Sequence, residues 1–444
     1  MPDSEGTLFA SDNVFVSDNT ILGLASGDFL GLTVETDSGA MVAPLSIEDI
    51  FNQIKSRQIR PRWRLYLLYP DDTIRARFPD EDVVTGGSYS ETYQNGQRRT
   101  ISFSLYNETG RYSPGINSIW LDSRIRLDMG MDFGDGTTVW LRRGVYVVSS
   151  LNETVEAGRR VVSVSAGDKW MLFSGATGTL EDTYEIPPES DVISIVQSIL
   201  TGVAGTQGPL DSRPPRIHPL FKGKKTQVTI SQNAGSTYAE ILQALATQVS
   251  AEIFYDSMGN FTMVPYDETV GDAYKSSLFH YDGRNGDFGS ITFSFDSSEV
   301  KNRVVVIGST SSGSYSRATA SNDSPSSPTS VARIGVRTAP IINDSNISSD
   351  RLAEERAAYE LRKILLLKTK TSLEIAYNPL LTVNNLISVT LEAPEMTQQK
   401  FLLQSVSCSL DYSGSMSISF SNIDNLPFLV RTNEYQDINS EAQA

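Results

Sequence analysis

Two histidines and one cysteine are the residues of this 444-residue chain that most often act as bases, nucleophiles or zinc ligands. His218 lies in a proline-rich stretch, and His280 lies beside aromatic residues. Cys408 alternates with Val406 and Leu410, which predicts a small buried side chain rather than a reactive thiol. A single cysteine also excludes an intramolecular disulfide and a cysteine-based zinc site.

Sequence motifs for nucleophilic catalysis and for phosphate binding are missing from the chain. With only two histidines, the chain offers few candidates for the base of a Ser-His-Asp triad or for the ligands of a histidine metal site. No Gly-x-Ser-x-Gly motif, Gly-Lys-Ser/Thr phosphate loop or Gly-x-Gly-x-x-Gly motif follows a predicted strand. The sequence therefore predicts a protein that is not an enzyme and that has no catalytic, cofactor-binding or metal-binding residues.

Acidic residues are the remaining candidates for chemistry. Asp128, Asp132 and Asp135 have some of the spacing of a calcium loop, but Gly130 stands where a second oxygen ligand is needed and no terminal Glu follows. A hairpin turn explains these residues better. The acids of segment 282–287 fit a solvated glycine-rich loop. Paired carboxylates for glycoside hydrolysis stay open, because the sequence does not show which acids face each other.

The charge balance limits the classes of partner. The chain has 53 acidic and 37 basic residues and a net charge of −16, which disfavours electrostatic binding to nucleic acid or to anionic membranes. No apolar run approaches the roughly 20 residues that span a bilayer, and the N-terminus lacks the features of a signal peptide. We therefore expect synthesis in a cytoplasm and no direct membrane insertion.

The stretch from residue 236 to residue 265 has the most consistent local pattern. A capping box of Thr237 and Glu240 opens a helix whose apolar face consists of Tyr238, Ile241, Leu242, Leu245, Ala246 and Val249. The period then changes to two on either side of a turn with Gly259, which predicts a hairpin. A helix and a hairpin that cover each other predict a small α+β middle domain over residues 176–290.

Short predicted strands with turn signals between them flank this middle domain. Residues 59–175 predict a closed or nearly closed antiparallel barrel or sandwich. Residues 291–424 predict a second barrel-like module. It contains a flexible serine-rich loop at 309–330 and a helix at 350–367.

The two ends of the chain predict no core of their own. Residues 1–58 predict an extended arm that includes a short helix at 46–54, and residues 425–444 predict a polar tail. At 444 residues the chain is long enough for two to four domains. The predicted fold class is therefore β-rich α+β, with two antiparallel barrels and smaller α+β parts.

Three segments appear in a recognisable order. They are the helix and glycine hairpin of 237–265, the valine-rich strand of 295–308, and the helix and strands from 349 through Asn378-Pro379-Leu380 to Phe420. In this order they resemble the tail-hub, or baseplate-hub, proteins of tailed bacteriophages. Residues 295–308 are similar to the strand that re-enters the second barrel of that family. Residues 59–175 match its first barrel in character only, and the arm and the serine-rich loop have no counterpart.

The resemblance implies a fold and a function. The implied fold has two tail-tube-like barrels per chain, with α+β domains between and outside them. The implied protein is a structural component of the virion, made in the host cytoplasm. It forms a homotrimer that terminates the tail tube and seats the tip or spike. Its implied partners are a tail-tube or distal tail protein, a tape-measure protein and the tip protein. DNA passes through the trimer without specific binding, and the acidic net charge suits such a conduit because it repels phosphates.

Three alternatives remain open at this stage. One is a receptor-binding adhesin tip, with Trp120 and Trp140 as stacking platforms for saccharides. Another is the hub of a related contractile injection machine. The third is an enzyme-bearing hub or a free hydrolase, although the chain has no spare segment with hydrolase motifs.

Overall fold

The computed structural model describes residues 14–17, 21–24, 29–36, 41–42, 50, 54, 59–115, 118–121, 123–202, 210–265, 277–285, 288–295, 300–308, 316–325, 327, 329–366, 369–392, 396–412 and 414–422. For the predicted arm, these residues include only the backbone of four short strands and two positions of the predicted helix at 46–54. The predicted tail at 425–444 lies outside them.

The strands are numbered in chain order, and their bounds are as follows: β1 (Val14–Ser17), β2 (Ile21–Leu24), β3 (Phe29–Thr36), β4 (Met41–Val42), β5 (Arg60–Leu68), β6 (Ile74–Arg77), β7 (Val83–Thr92), β8 (Arg99–Tyr106), β9 (Arg124–Asp132), β10 (Thr137–Glu156), β11 (Arg159–Asp168), β12 (Tyr184–Ile186), β13 (Arg216–Ile217), β14 (Ile230–Gln232), β15 (Ala251–Tyr255), β16 (Phe261–Pro265), β17 (Phe279–Asp282), β18 (Phe288–Phe295), β19 (Arg303–Ile307), β20 (Arg317–Ser321), β21 (Ile342–Asn343), β22 (Thr369–Ala376), β23 (Leu386–Leu391), β24 (Met396–Leu410) and β25 (Ser415–Asn422).

The described helices are α1 (Val192–Thr201), α2 (Tyr238–Gln248), α3 (Val331–Ile334) and α4 (Asp350–Leu366), with short 3-10 helices at Asp80–Asp82, Lys169–Leu172, Pro219–Phe221 and Gly283–Asn285. None of the helices in the described ranges is long and apolar enough to cross a bilayer.

The strands predicted between residues 59 and 175 are present, with two differences. β10 is one strand of 20 residues where two strands are predicted. Its ladder with β9 continues past a bulge at Gly144, which has a φ of 146°. The sequence pattern does not predict β7, because this strand is rich in Gly and Ser and low in strand-forming apolar residues.

The helix and hairpin of residues 237–265 fold as the sequence predicts, whereas β17, inside the predicted middle domain of 176–290, pairs with β23 of the large sheet. Thr237 caps α2 by accepting the Glu240 backbone N–H, and β15 and β16 form the hairpin that follows. α1 packs beside α2, and Asp191 caps it in the same way. Their apolar faces share one core with the hairpin, which includes Ile241, Leu245 and Phe261.

The region around β19 departs from the prediction. β19 does not enter the large sheet; instead it pairs with β20 and β21 in a separate three-stranded sheet. α4 packs on β19 and β20 through a core that contains Val306, Ala353 and Leu361. β20 lies inside the segment predicted as a flexible loop. Its small residues Ala318 and Ala320 alternate towards α4, so a serine-rich sequence can still pack.

A single sheet of 17 strands joins the two predicted strand series. The junction is the antiparallel ladder between Gly87–Thr92 of β7 and Ser405–Leu410 of β24. One hydrophobic core serves both halves, with Leu127 and Val162 from the first half and Val389 and Phe420 from the second. The molecule is therefore β-rich with few helices, and its main component is a large, mostly antiparallel sheet.

Candidate functional site

Eight consecutive strands of the large sheet carry short hydroxyl side chains on the face away from the core. These strands pair in the order β10–β11–β8–β7–β24–β25–β22–β18. Successive side chains of a strand point to opposite faces, so the residues between the buried apolar positions share the outer face. We call the following set the hydroxyl face: Ser88, Ser90, Thr92, Thr100, Ser102, Ser104, Ser150, Ser163, Ser165, Thr292, Ser372, Ser405, Ser407, Ser409, Ser417 and Ser419.

The registers arrange these residues in rows across the sheet. Ser165 lies opposite Ser102, and Ser102 lies opposite Ser88. Ser88 in turn lies opposite Ser409, across the junction of the two halves. A second row consists of Thr92, Ser405, Ser419, Ser372 and Thr292. The hydroxyl face therefore continues from one half of the sheet into the other.

Cross-strand hydrogen bonds satisfy many of these hydroxyls. The Oγ atoms are 2.8 Å apart in Ser88 and Ser102, 2.9 Å apart in Ser104 and Ser163, and 2.6 Å apart in Ser405 and Ser419. In each pair one hydroxyl donates to the other, and the accepting hydroxyl keeps its own O–H for a hydrogen bond with solvent. The face is consequently low in relief and uncharged over these rows, with the carboxylate of Glu374 beside them opposite Ser417.

A buried ionic cluster lies directly behind the junction of the two halves. Glu91 of β7 accepts hydrogen bonds from Arg99 at 2.6 Å, from Arg143 at 2.9 Å and from the Tyr89 hydroxyl at 2.8 Å. All four side chains are almost fully shielded from solvent. Burial raises the pKa of Tyr89, so this hydroxyl remains a hydrogen-bond donor.

Arg143 extends this cluster to the second half of the chain. Its guanidinium donates to the backbone carbonyls of Pro379 and Leu381, each at 3.0 Å. These carbonyls belong to a buried loop between β22 and β23. One side chain of the first half thus binds backbone of the second half and fixes the position of the junction.

A second buried cluster connects the middle domain to the large sheet. The Lys169 ammonium donates to Asp72 at 2.8 Å, to Asp211 at 2.7 Å and to the Gly259 carbonyl at 3.1 Å. Burial lowers the pKa of Lys169, while the two carboxylates oppose that shift. All three ammonium donors have acceptors, so this lysine is a structural cation rather than a nucleophile.

The two histidines are not assembled into a catalytic arrangement. His218 accepts the Leu220 backbone N–H at 3.2 Å and caps a 3-10 helix. His280 on β17 contacts the Ser388 hydroxyl at 2.9 Å. The nearby carboxylate of Asp282 is bound by Arg284 at 2.7 Å, which also lowers the pKa of that carboxyl to about 2. The acid is therefore engaged by a cation.

The acids that resemble a calcium loop form the predicted hairpin turn. Asp132 accepts the Gly134 backbone N–H at 2.8 Å, and Asp135 accepts that of Thr137 at 3.1 Å. Asp128 is paired with Arg126 instead. Within the described ranges, no three His, Cys, Asp or Glu side chains come together as a metal site.

The tryptophans proposed as saccharide platforms differ in exposure. Trp140 is 7% exposed, and the guanidinium of Arg64 covers its ring at 3.7 Å from the ring centre. Trp140 is therefore unavailable for stacking, whereas Trp120 is 40% exposed. Cys408 is buried as predicted, and burial raises the pKa of its thiol to about 12.

The hydroxyl face was not among the residues selected from the sequence. Its signal is an alternation of serine with apolar residues, as in Ser-Val-Ser-Cys-Ser at residues 405–409 and Ser-Met-Ser-Ile-Ser at residues 415–419. A search for serine at every second position of predicted strands would have found most of the face.

Comparison with solved structures gives two similar tail proteins. The 43 kDa tail protein of prophage MuSo2 from Shewanella oneidensis is 14% identical, over 82% of this chain and 100% of that one, with a TM-score of 0.51. The tail protein from Neisseria meningitidis MC58 is 9% identical, over 82% of this chain and 97% of that one, with a TM-score of 0.53. No protein-family model and no curated protein matches the sequence. At these identities the similarity establishes the fold alone: the chain shares the β-rich fold of these two tail proteins, in agreement with the resemblance in its sequence.

Proposed function

We propose that the chain is a structural protein of a phage virion, a hub that terminates the tail tube. In this proposal three copies form a ring to which each contributes two tail-tube-like barrels. The ring seats the tip or spike and forms part of the conduit for DNA ejection. Its partners are the tail-tube or distal tail protein, the tape-measure protein and the tip protein. The chain is made in the host cytoplasm and catalyses no reaction.

The hydroxyl face is the observation that carries this proposal. It covers eight adjacent strands, continues across the junction of the two halves and consists of side chains with one or two heavy atoms beyond Cβ. A surface that surrounds a moving polymer must be smooth. Short side chains that form hydrogen bonds with each other provide such a surface. We therefore assign the hydroxyl face to the wall of the channel.

The electrostatics of the face suit the passage of DNA. Proteins hold DNA mainly by neutralising phosphates with Lys and Arg, and the described rows of the face contain neither. Neutral hydroxyls exchange water hydrogen bonds for phosphate hydrogen bonds with little net gain. The net charge of −16 adds long-range repulsion.

An adhesin tip is the second candidate, and exposed Trp120 is the observation that favours it. Its other proposed platform, Trp140, is buried under Arg64. Binding to an array of glycans that is lost in Trp120→Ala would support this alternative. The hub of a contractile injection machine would use the same channel wall, so purification from assembled particles distinguishes it from a phage tail.

Electron microscopy of the purified full chain tests the hub proposal. We expect light scattering to give the mass of a trimer and images to show a ring with a central opening. A cysteine that carries a gold label then locates the hydroxyl face: Ser407→Cys in a Cys408→Ser background places the label in the opening. The control is Lys222→Cys, an exposed position in the middle domain, which places it at the periphery. A label on Ser407→Cys at the outer surface would contradict the assignment.

A further inference from the structure

A cleft of about 390 Å³ lies between α2 of the middle domain and α4. The two helices belong to separate hydrophobic cores: α2 packs with the central hairpin, and α4 packs with β19 and β20. Each helix also directs a second stripe of residues towards the cleft, at the spacing of one helix face. These stripes are residues 240, 243, 244 and 247 of α2, and residues 356, 359, 360 and 363 of α4. The cleft is therefore a space between two helices that neither core fills.

Polar contacts fix the position of one helix relative to the other. Arg356 of α4 donates to the Thr247 hydroxyl at 3.2 Å and forms an ion pair with Glu360 at 2.9 Å. Next to this contact, Glu355 accepts a hydrogen bond from the Ser250 hydroxyl at 2.8 Å. Both hydrogen bonds join α4 to the segment where α2 ends. The two walls of the cleft therefore have a defined separation.

The central hairpin holds two more lining residues in place. The Tyr359 hydroxyl donates to Glu252 of β15 at 3.3 Å. Asn95, between β7 and β8, accepts the Ile253 backbone N–H at 2.6 Å. Glu252 is itself buried and forms an ion pair with Arg98 at 3.1 Å. A site whose side chains are already ordered loses less conformational entropy when a ligand binds.

Other side chains of the lining have hydrogen-bonding groups that are not engaged. Within the described ranges, no hydrogen bond or ion pair is formed by the side chains of Gln232, Glu240, Gln243 and Lys363. Apart from one alanine and one tyrosine ring, every described lining side chain carries an amide, hydroxyl, carboxylate or cationic group. Most small-molecule sites are lined mainly by apolar side chains, so this composition selects a polar ligand.

The charge and the architecture of the lining narrow the class of polar ligand. Three carboxylates and two cations line the cleft, and Arg356 is already paired with one of these carboxylates, so an anion is disfavoured. Peptides are usually bound along a strand edge, in an apolar groove or on a cluster of arginines. Eight of the twelve described lining residues lie instead on the polar stripes of two helices. A neutral ligand with many hydroxyl groups fits such a lining best.

We propose that the cleft binds a neutral oligosaccharide, as a segment of an uncharged surface polysaccharide. Sugar hydroxyls both donate and accept hydrogen bonds, so they match a lining that offers amides and carboxylates together. The unengaged groups of Gln232, Glu240 and Gln243 are the hydrogen-bonding partners in this assignment. The volume lies within the range of roughly 300 to 1,000 Å³ for small-molecule sites, so the cleft admits a short saccharide segment. This recognition function belongs to a single chain and does not depend on the formation of a ring.

An oligosaccharide array tests this proposal with the purified full chain, which is detected through a C-terminal affinity tag. The array contains neutral and acidic members, and titration calorimetry measures the dissociation constant of the neutral oligosaccharide that binds best. Gln243→Trp should raise this constant at least about tenfold, because the indole occupies the cleft. Gln243→Ala should raise it about threefold to tenfold through the loss of one hydrogen bond. The matched controls are Gln197→Trp and Gln197→Ala, at an exposed glutamine of α1, and they should leave the constant unchanged.

The outcomes separate this proposal from its alternatives. Weaker binding in both Gln243 variants, with no change in the Gln197 variants, supports it. A chain that binds no oligosaccharide of the array overturns it, as does binding that all four variants retain. A preference for acidic oligosaccharides overturns the neutral class, and binding that is lost only in Trp120→Ala overturns the cleft as its location. Binding of a peptide library through Gln243, without any oligosaccharide, assigns the cleft to a protein partner and also overturns the proposal. Light scattering of the same samples measures the trimer separately, so a failure of the hub proposal is distinguishable from a failure of this one.

Discussion

Glu91 lies between two arginines behind the junction of the sheet. Its carboxylate forms salt bridges with Arg99 and Arg143, and its side chain is fully buried. A buried ion pair contributes little compared with a well-packed apolar alternative, but the loss of one partner leaves an uncompensated charge. Here such a loss would leave two cations, one of which also holds the buried loop of the second half.

We therefore predict that Glu91→Gln lowers the free energy of unfolding by about 3 to 5 kcal/mol. Urea denaturation monitored by tryptophan fluorescence measures this change. The control is Lys225→Gln, which breaks the exposed pair of Lys225 with Glu189 and should cost at most about 1 kcal/mol. Equal losses in the two variants would show that the cluster does not stabilise the junction.

Asp168 gives the fold a dependence on pH. Its buried carboxylate accepts the backbone N–H groups of Arg98 at 2.7 Å and of Arg99 at 2.9 Å. Burial raises the pKa of this carboxyl to about 6, although the hydrogen bonds act in the opposite direction. A folded-state pKa above the unfolded value means that the stability from this group is complete below about pH 4. That stability is lost as the pH rises through 6.

Asp168→Asn should remove this dependence. We compare the free energy of unfolding of the unchanged chain with that of the variant. The difference, unchanged chain minus variant, should fall by about 3 kcal/mol between pH 4 and pH 7. Urea titrations of both proteins across that range give the difference at each pH. A difference that stays constant would mean that the carboxyl is ionised throughout the range.

At the scale of elements, the central hairpin docks onto β10 through its turn. Gly259 has a φ of 82°, and a Cβ atom at this position would lie 2.7 Å from Cγ2 of Val145. Gly134 has a similar φ of 72°, but a Cβ atom there would meet nothing within 4 Å. The two glycines therefore separate the cost of backbone conformation from the cost of packing.

We predict that Gly134→Ala lowers the free energy of unfolding by about 1 to 2 kcal/mol, from the left-handed conformation alone. Gly259→Ala should cost a further 1 to 3 kcal/mol, roughly, because the methyl group also displaces Val145. Chemical denaturation of both variants measures the two changes. If they are the same, the hairpin turn is not tightly packed on β10.

Most elements follow from sequence patterns, and those that do not have physical reasons. The α2 helix and its hairpin are confirmed because capping, apolar period and turn residues agree there. The sequence pattern does not predict β7, because Tyr89 is its one large apolar residue apart from Val83 and Val84. The pairing of β7 with β8 and β24 stabilises it instead. β19 was assigned to the wrong sheet because its apolar run fits any buried strand, and the choice between sheets depends on long-range contacts.

The hydroxyl face shows the same limit at the functional site. Each serine is polar and unremarkable in its own strand, and only the registers between strands bring these residues into rows. The sequence alone therefore does not indicate which surface carries the function.

At the scale of the whole molecule, the proposed conduit depends on weak attraction between its wall and DNA. Ser90→Lys combined with Ser407→Lys places two cations opposite each other on the hydroxyl face. We predict that this variant binds duplex DNA at low salt. The logarithm of its association constant should fall as the logarithm of the salt concentration rises, with a slope of about −0.9 per phosphate contacted.

Fluorescence anisotropy of a labelled duplex measures this binding. The matched control is Asn233→Lys with Ala234→Lys, which adds the same charge at exposed positions of the middle domain. The control and the unchanged chain should bind far more weakly. Similar binding by both lysine variants would indicate a general effect of net charge rather than a property of the face.

The contact of Arg143 with the Leu381 carbonyl spans 238 residues of sequence, and this separation matters while the chain is being made. At a synthesis rate of 5 to 20 residues per second, roughly 10 to 50 s pass between the appearance of the arginine and that of its acceptor. During that time β7 has been synthesised but its partner β24 has not. The nascent first half therefore exposes one unpaired edge of β7 on the ribosome, so we expect premature release or truncation before β24 to yield aggregates rather than a folded half-molecule.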